Sequence, residues 1–230
     1  MEHMGSTSDT ARKPARKLAT KDSAGPRQVR VKALAEVRRE LVLEAARSAF
    51  FELGMEKTSI REVAQRAGYT PGAIYSYFSS KEEMYGALLG ESLDRLNAQV
   101  AGAVRSSDEG VPRLRAAAGA FFAFYLANPR DLDLGFYLFQ GMKPRGLTPE
   151  LDEELNARLL QALRPSQAEL ERLGMPARTA LQELTSLFAH TVGLLVMSHT
   201  GRIRMFKQKS AELFETYLAQ LVERATGART

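Results

Sequence analysis

From Leu34 onward, apolar residues recur at three- and four-residue spacing, and no segment alternates β-branched with polar residues. A chain patterned this way buries one face of a 3.6-residue helix and cannot bury one face of a strand. Glycine or proline punctuates the pattern at intervals, so the fold class is all-α. The spacing predicts a first helix over 35–53, with Val37, Leu41, Val42, Ala45, Ala46, Ala49, Phe50 and Leu53 on its buried face and Gly54 as its stop. Further helices are expected over 59–67, 70–78, 80–104, 112–127, 132–140, 149–163, 167–173, 177–199 and 206–225.

Three helix starts are crowded between Thr58 and Met84. Ser59 with Glu62 and Ser80 with Glu83 each read as a capping box, in which the two side chains satisfy each other's backbone N–H groups. Thr70-Pro71 is a cap followed by proline at the first helical position, where its missing N–H costs nothing. Between Tyr69 and Ser80 there is no charged residue. On a helical wheel Pro71, Ile74 and Phe78 fall together and face Ile60, Val63 and Ala64. Gly72, Ala73 and Ser76 lie opposite, with Tyr75 and Tyr77 on the flanks. Such a smooth outward face suits a helix that enters the DNA major groove closely enough to meet base edges. Flanking phenols can bond the phosphates that wall the groove, and helix N-termini favour phosphate as well.

Charge supports a nucleic-acid partner. Residues 1–35 hold eight Lys/Arg against three Asp/Glu, whereas the rest carries 24 of each sign. The basic segment is poor in large apolar residues and is expected to be a disordered arm over 1–34. The chain has no cysteine, so there is no disulfide framework, thiolate nucleophile or cysteine metal site, which fits a cytoplasmic protein. Its three histidines are His3, His190 and His199, and the last two fall on opposite sides of one helix. No metal, no cofactor and no enzymatic activity are expected. The polar N-terminus lacks a signal-peptide core, and no apolar run approaches the roughly 18 residues of a membrane helix.

Residues 38–90 resemble the DNA-binding domain of the tetracycline-repressor (TetR) family. The resemblance is carried by Leu41-Val-Leu-Glu-Ala-Ala-Arg-Ser-Ala-Phe50, Gly54, Thr58-Ser-Ile-Arg-Glu-Val-Ala-Gln-Arg-Ala-Gly68, Thr70-Pro-Gly-Ala-Ile-Tyr-Ser-Tyr-Phe78 and Ser80-Lys-Glu. Tyr69 stands where a small aliphatic residue is usual, and Met84 where leucine is. The resemblance implies a helix-turn-helix domain over 35–90 and an effector-binding and dimerisation domain over 91–226. It implies phosphate contacts from Thr58, Ser59, Tyr75, Tyr77 and Lys81. Arg61, Thr70, Gly72, Ala73 and Ser76 would face bases, with Pro71 at the start of the same helix.

In the C-terminal half, Phe121, Phe124 and Tyr125 share a helix face, and Phe136, Phe139 and Phe188 add further rings. Aromatic density of this kind is either plain core or the wall of an apolar ligand cavity. His190 is a candidate polar anchor there, or a satisfied core residue. Helix 177–199 is apolar on two faces, and helix 206–225 has a stripe wider than one contact requires. Leu187, Leu194, Phe214, Leu218 and Leu221 are therefore candidates for a four-helix dimer interface. The leading reading is a homodimeric regulator on a pseudo-palindromic double-stranded operator, most simply a repressor released by a small, largely apolar effector. A constitutive or architectural DNA binder without an effector is the alternative.

Overall fold

The computed structural model describes residues 25–136 and 147–227, and every regular element among them is helical. In order these are α1 (Pro26–Lys57), α2 (Ile60–Ala67), α3 (Pro71–Ile74), α4 (Lys81–Arg105), α5 (Val111–Ala127), α6 (Pro129–Gly135), α7 (Pro149–Arg172), α8 (Ala177–His199), a 3-10 turn (Arg202–Phe206) and α9 (Ser210–Thr226). The chain divides into two compact units, 1–38 and 39–230.

In the first unit the described residues are helical from Pro26, so the disordered arm expected to reach residue 34 does not extend that far. Residues 1–24 lie outside the described residues. Low apolar content argues against a core, but not against a helix. Proline fixes φ at the first turn, and Arg, Gln, Lys, Ala and Leu carry little helical penalty. Val37, expected on the buried face, is 58% exposed.

The second unit begins with the three-helix arrangement that the caps foretell. Val42, Leu43, Ala46, Ala49 and Phe50 of α1 are buried with Val63 and Ala64 of α2, and with Ile74 and Phe78 from α3 and its last turn. Leu41 and Leu53 turn away from this stripe and are exposed. The helix breaks at Gly54, whose φ of 77° suits glycine, and then adds one more turn to Lys57. Ser59, Thr70 and Ser80 each accept a backbone N–H at the start of α2, α3 and α4. Gly68, left-handed at φ 72°, closes α2. Arg66 ties α2 to α1 through Ser48 at 2.9 Å and Glu52 at 2.8 Å.

α4 carries the chain from this domain into the larger helical body, where it packs on α5 and α7 while α8 packs on α9, α7 and α5. The seam between α4 and α7 is close because Gly86 offers no side chain. A Cβ there would lie 2.5 Å from Cδ2 of Leu151, in the first turn of α7. At the other end of α7, the buried Glu169 accepts the Gly110 N–H at 2.6 Å, with Arg113 and Arg172 within 3.8 and 3.4 Å. It thereby pins the start of α5 to α7.

Two further expectations fail here. The helices expected over 149–163 and 167–173 are one, because α7 runs through Pro165 unbroken. The lost backbone bond is offset by burial of Leu155, Ala162 and Leu170 on the same helix. And α8 is, by length and composition alone, apolar enough to cross a membrane. It packs instead as a core helix, with Ala180, Leu184, Leu187, Thr191, Leu194 and Leu195 buried.

Candidate nucleic-acid interface and effector region

The helix expected over 70–78 ends as α3 at Ile74, and the turn that follows carries Tyr75 and Ser76 on the same outward side. Ile74 and Phe78 hold it to the core, leaving Thr70, Pro71, Gly72, Tyr75 and Ser76 exposed and Ala73 partly so. Tyr75 is 59% exposed, whereas Tyr77 is half-buried against the core. Gly72 has open space where a side chain would go. The Ser76 hydroxyl donates to the Ala73 carbonyl at 2.7 Å, so its hydrogen is already engaged. Ser59 and Arg61 are exposed at the start of α2. This gives one uncharged helical ridge, with a cap serine and an arginine on the helix before it.

Two residues expected at phosphates do other work. Thr58 is only 2% exposed, and its hydroxyl donates to the carbonyls of Gly54 at 2.8 Å and Ala49 at 3.2 Å. The threonine closes the kinked end of α1. Lys81 directs its ammonium to three carbonyls, of Met55 at 2.6 Å, Thr58 at 3.1 Å and Glu56 at 3.3 Å. Those carbonyls follow the break at Gly54, where helical partners run out, and a lysine has three donors to give. Lys81→Met is therefore expected to lower the unfolding free energy by about 1–3 kcal/mol, as loss of charge-assisted bonds does. Denaturant titration with unfolding read by circular dichroism measures this, and an unchanged midpoint would mean the clamp contributes nothing.

In the C-terminal body, Phe121, Phe124, Tyr125, Phe136 and Phe188 form one connected aromatic cluster. Tyr125 meets Phe124 at 5.1 Å, Phe121 at 5.2 Å and Phe136 at 5.6 Å between ring centroids, mostly edge-on, and Phe188 closes the ring of contacts. Burial pushes the Tyr125 phenol well above its ordinary range, so it stays neutral. Phe139 lies outside the described residues. The Ser92 hydroxyl, on the core face of α4 between Leu88 and Leu96, is buried without a hydrogen-bond partner. Its place in the four-residue rhythm Leu88–Ser92–Leu96 is the sequence signal that marks it.

His190 is not in this cluster. Its ring stacks on Tyr217 of α9 at 4.2 Å, and Nε2 is buried without a partner. His199 is the histidine that reaches the aromatic side, with Nε2 3.0 Å from the Tyr125 carbonyl. Nine helical residues put the two rings on opposite sides, so only one of them can face α5. Burial lowers the His190 pKa, against a backbone hydrogen bond at Leu213 that raises it. Arg224 lies over the same Tyr217 ring at 5.7 Å and is paired with Glu183. A depressed histidine pKa means the unfolded chain takes up the proton first. Stability is then complete above about pH 6.5 and declines as pH falls below it. The melting temperature is expected to drop less steeply between pH 7 and 5 in His190→Phe than in the native protein, and parallel curves would show the histidine is not the source.

The residues expected at a dimer interface are core instead. Leu187, Leu194, Phe214, Leu218 and Leu221 are all 5% exposed or less within one protomer. The apolar residues of α8 are used internally, where the helix packs on α9, α7 and α5. Along its middle, from Leu184 to Ser198, α8 carries no charged residue and leaves Thr185, Ser186, Ala189 and Gly193 exposed.

Residues 42–88 match the family described as bacterial regulatory proteins, tetR family. Over that segment, about a fifth of its length, the protein is similar to the tetR family. It is 40% identical over 87 residues to the HTH-type transcriptional activator FasR of Mycolicibacterium smegmatis, covering 38% of this chain and 40% of FasR. It is 39% identical over 90 residues to the HTH-type transcriptional repressor KstR2 of Mycobacterium tuberculosis, covering 39% of this chain and 44% of KstR2. The chain thus aligns with about two fifths of the length of these curated relatives. The likeness in fold extends further along the chain. The transcriptional regulator FadR from Bacillus subtilis, solved in complex with stearoyl-CoA, superposes with a TM-score of 0.61 at 18% identity, over 80% of this chain and 97% of FadR. At that identity the likeness establishes the fold alone: a helix-turn-helix domain followed by a larger helical domain.

Proposed function

We propose that the protein is a ligand-responsive DNA-binding regulator acting as a homodimer, with α3 as the element that reads the major groove. The observation that carries this reading is the exposed, uncharged ridge of Gly72, Ala73, Tyr75 and Ser76, held to the core by Ile74 and Phe78. A ridge without charge or bulk lets a helix approach base edges, while the exposed caps and Tyr75 stand at its margins for phosphates. The uncharged outer face of α8 is the surface that suits a second copy. With two copies of α3 related by a two-fold axis, the operator is an inverted repeat whose half-sites lie about 34 Å apart, or a multiple of that.

The aromatic cluster and the unpartnered Ser92 hydroxyl support an apolar effector in the C-terminal domain, with one polar group able to meet Ser92. FadR, of like fold, is known with an acyl-CoA. Relief of repression is the simpler outcome, since α4 joins the two domains and an effector that tilts it spoils the half-site spacing. Selection of genomic fragments on the purified protein tests the first part: an inverted repeat should be enriched. Enrichment without sequence preference would favour the architectural alternative.

A further inference from the structure

A cleft of about 370 Å³ lies where α1, α4 and the α5–α6 corner meet, and none of its described lining residues belongs to the aromatic cluster. Its apolar surfaces come from Phe51 on α1, Leu88 on α4 and Leu134 on α6, and three arginines stand around them: Arg47, Arg95 and Arg130. Two of these cations are already balanced. Arg47 pairs with Glu44 at 3.3 Å and Glu91 at 3.4 Å, and Arg95 pairs with Asp131 at 2.5 Å. Arg130 differs. Its guanidinium lies over the Phe51 ring, 5.6 Å from the centroid, and it has no carboxylate partner among the described residues. A guanidinium stacked on a ring keeps its N–H edge available, and that edge matches the two oxygens of a carboxylate. The cleft therefore offers one arginine fork that meets no carboxylate among the described residues, beside an apolar and aromatic surface, in a volume within the range of small-molecule sites.

We propose that this cleft is a second small-molecule site, taking a compact aromatic monocarboxylate whose ring lies against Phe51, Leu88 and Leu134 and whose carboxylate meets Arg130. A single guanidinium edge, with the carboxylates of Glu44 and Asp131 also at the cleft, takes one carboxylate in preference to a diphosphate or a neutral amide. The site goes beyond the effector region of the C-terminal core, because its walls come from both domains. An occupant touches α1 of the DNA-binding domain and α6 at once, so it bears on their relative position without entering the aromatic cluster.

Binding can be read on the protein alone, with no operator. The probe is 2-naphthoate, with 2-naphthamide as its neutral counterpart, titrated into the full chain by isothermal calorimetry. One naphthoate per protomer is expected, with the amide at least tenfold weaker. Arg130→Gln, an exposed position whose folding is checked by its melting temperature, should weaken naphthoate by about 10- to 100-fold. Phe136→Ala, in the aromatic cluster, should leave its binding unchanged. The proposal is overturned if naphthoate gives no saturable heat, if Arg130→Gln binds it equally, or if the amide matches the acid. Loss of binding in Phe136→Ala alone would place the probe in the core and overturn it too. None of these outcomes bears on whether α3 reads DNA.

Discussion

Gly72→Glu is expected to abolish specific DNA binding while leaving the melting temperature of the protein nearly unchanged. The position is exposed, its φ is not in the left-handed region, and a Cβ there would meet nothing within 4 Å. Near the start of a helix a glutamate is, if anything, favourable to the fold. In the groove the same carboxylate faces base edges between two walls of phosphate, without a cation to meet it. A loss of at least about 100-fold in affinity, roughly 2.7 kcal/mol, is expected in a gel-shift or anisotropy titration on the selected operator. Ser76→Ala should do far less, because its hydroxyl is already donated to Ala73. A Gly72→Glu protein that still bound its operator tightly would show that some other element reads the sequence.

The second large effect separates fold from assembly. Leu221→Asp puts an ionised group where the native side chain is 0% exposed, and the protomer should lose about 3–5 kcal/mol or fail to fold. Ala189→Asp places the same charge on the exposed, uncharged side of α8. Its helix content and unfolding midpoint should stay near native, while light scattering shows the mass of a monomer and affinity for an inverted repeat falls with it. If Ala189→Asp remains a dimer, the copies meet elsewhere.

How far sequence reaches into this fold depends on whether a feature is local. Ser59, Thr70 and Ser80 cap as predicted because a cap is decided within four residues. The facing of α3 was equally legible, since Ile74 and Phe78 share a wheel position and have few places to go. Lys81 and Thr58 show the limit. Their residue types suit a phosphate and a carbonyl equally well, and what chose the carbonyl is the break at Gly54, more than twenty residues before Lys81. The apolar faces of α8 and α9 were read correctly as buried twice over, but periodicity does not say whether the second partner is another helix of the same chain. That the helices expected over 149–163 and 167–173 are one is not local either: packing of Leu155 and Leu170 on either side of Pro165 is tertiary information. His190 and His199 were separated rightly by their spacing, yet which of them faced the aromatic rings depended on how α8 is rotated.

The fit of Leu151 against Gly86 bears on anyone who would build sensors from this protein. Modular regulators invite recombination, joining the DNA-binding part of one chain to the effector part of another at a convenient point on the connecting helix. A cut between residues 86 and 151 would separate a residue that lacks a side chain from the leucine that occupies its place. A recipient carrying alanine at the first position and leucine at the second would find a methyl group and a branched side chain contending for one volume. In such hybrids the Leu151 side chain must shift to admit the methyl group, and, on the effector-responsive reading proposed above, a seam displaced in this way transmits less well. The two positions therefore travel together, and a junction placed before residue 86, or a paired change of both, is the rule this seam sets for chimeras.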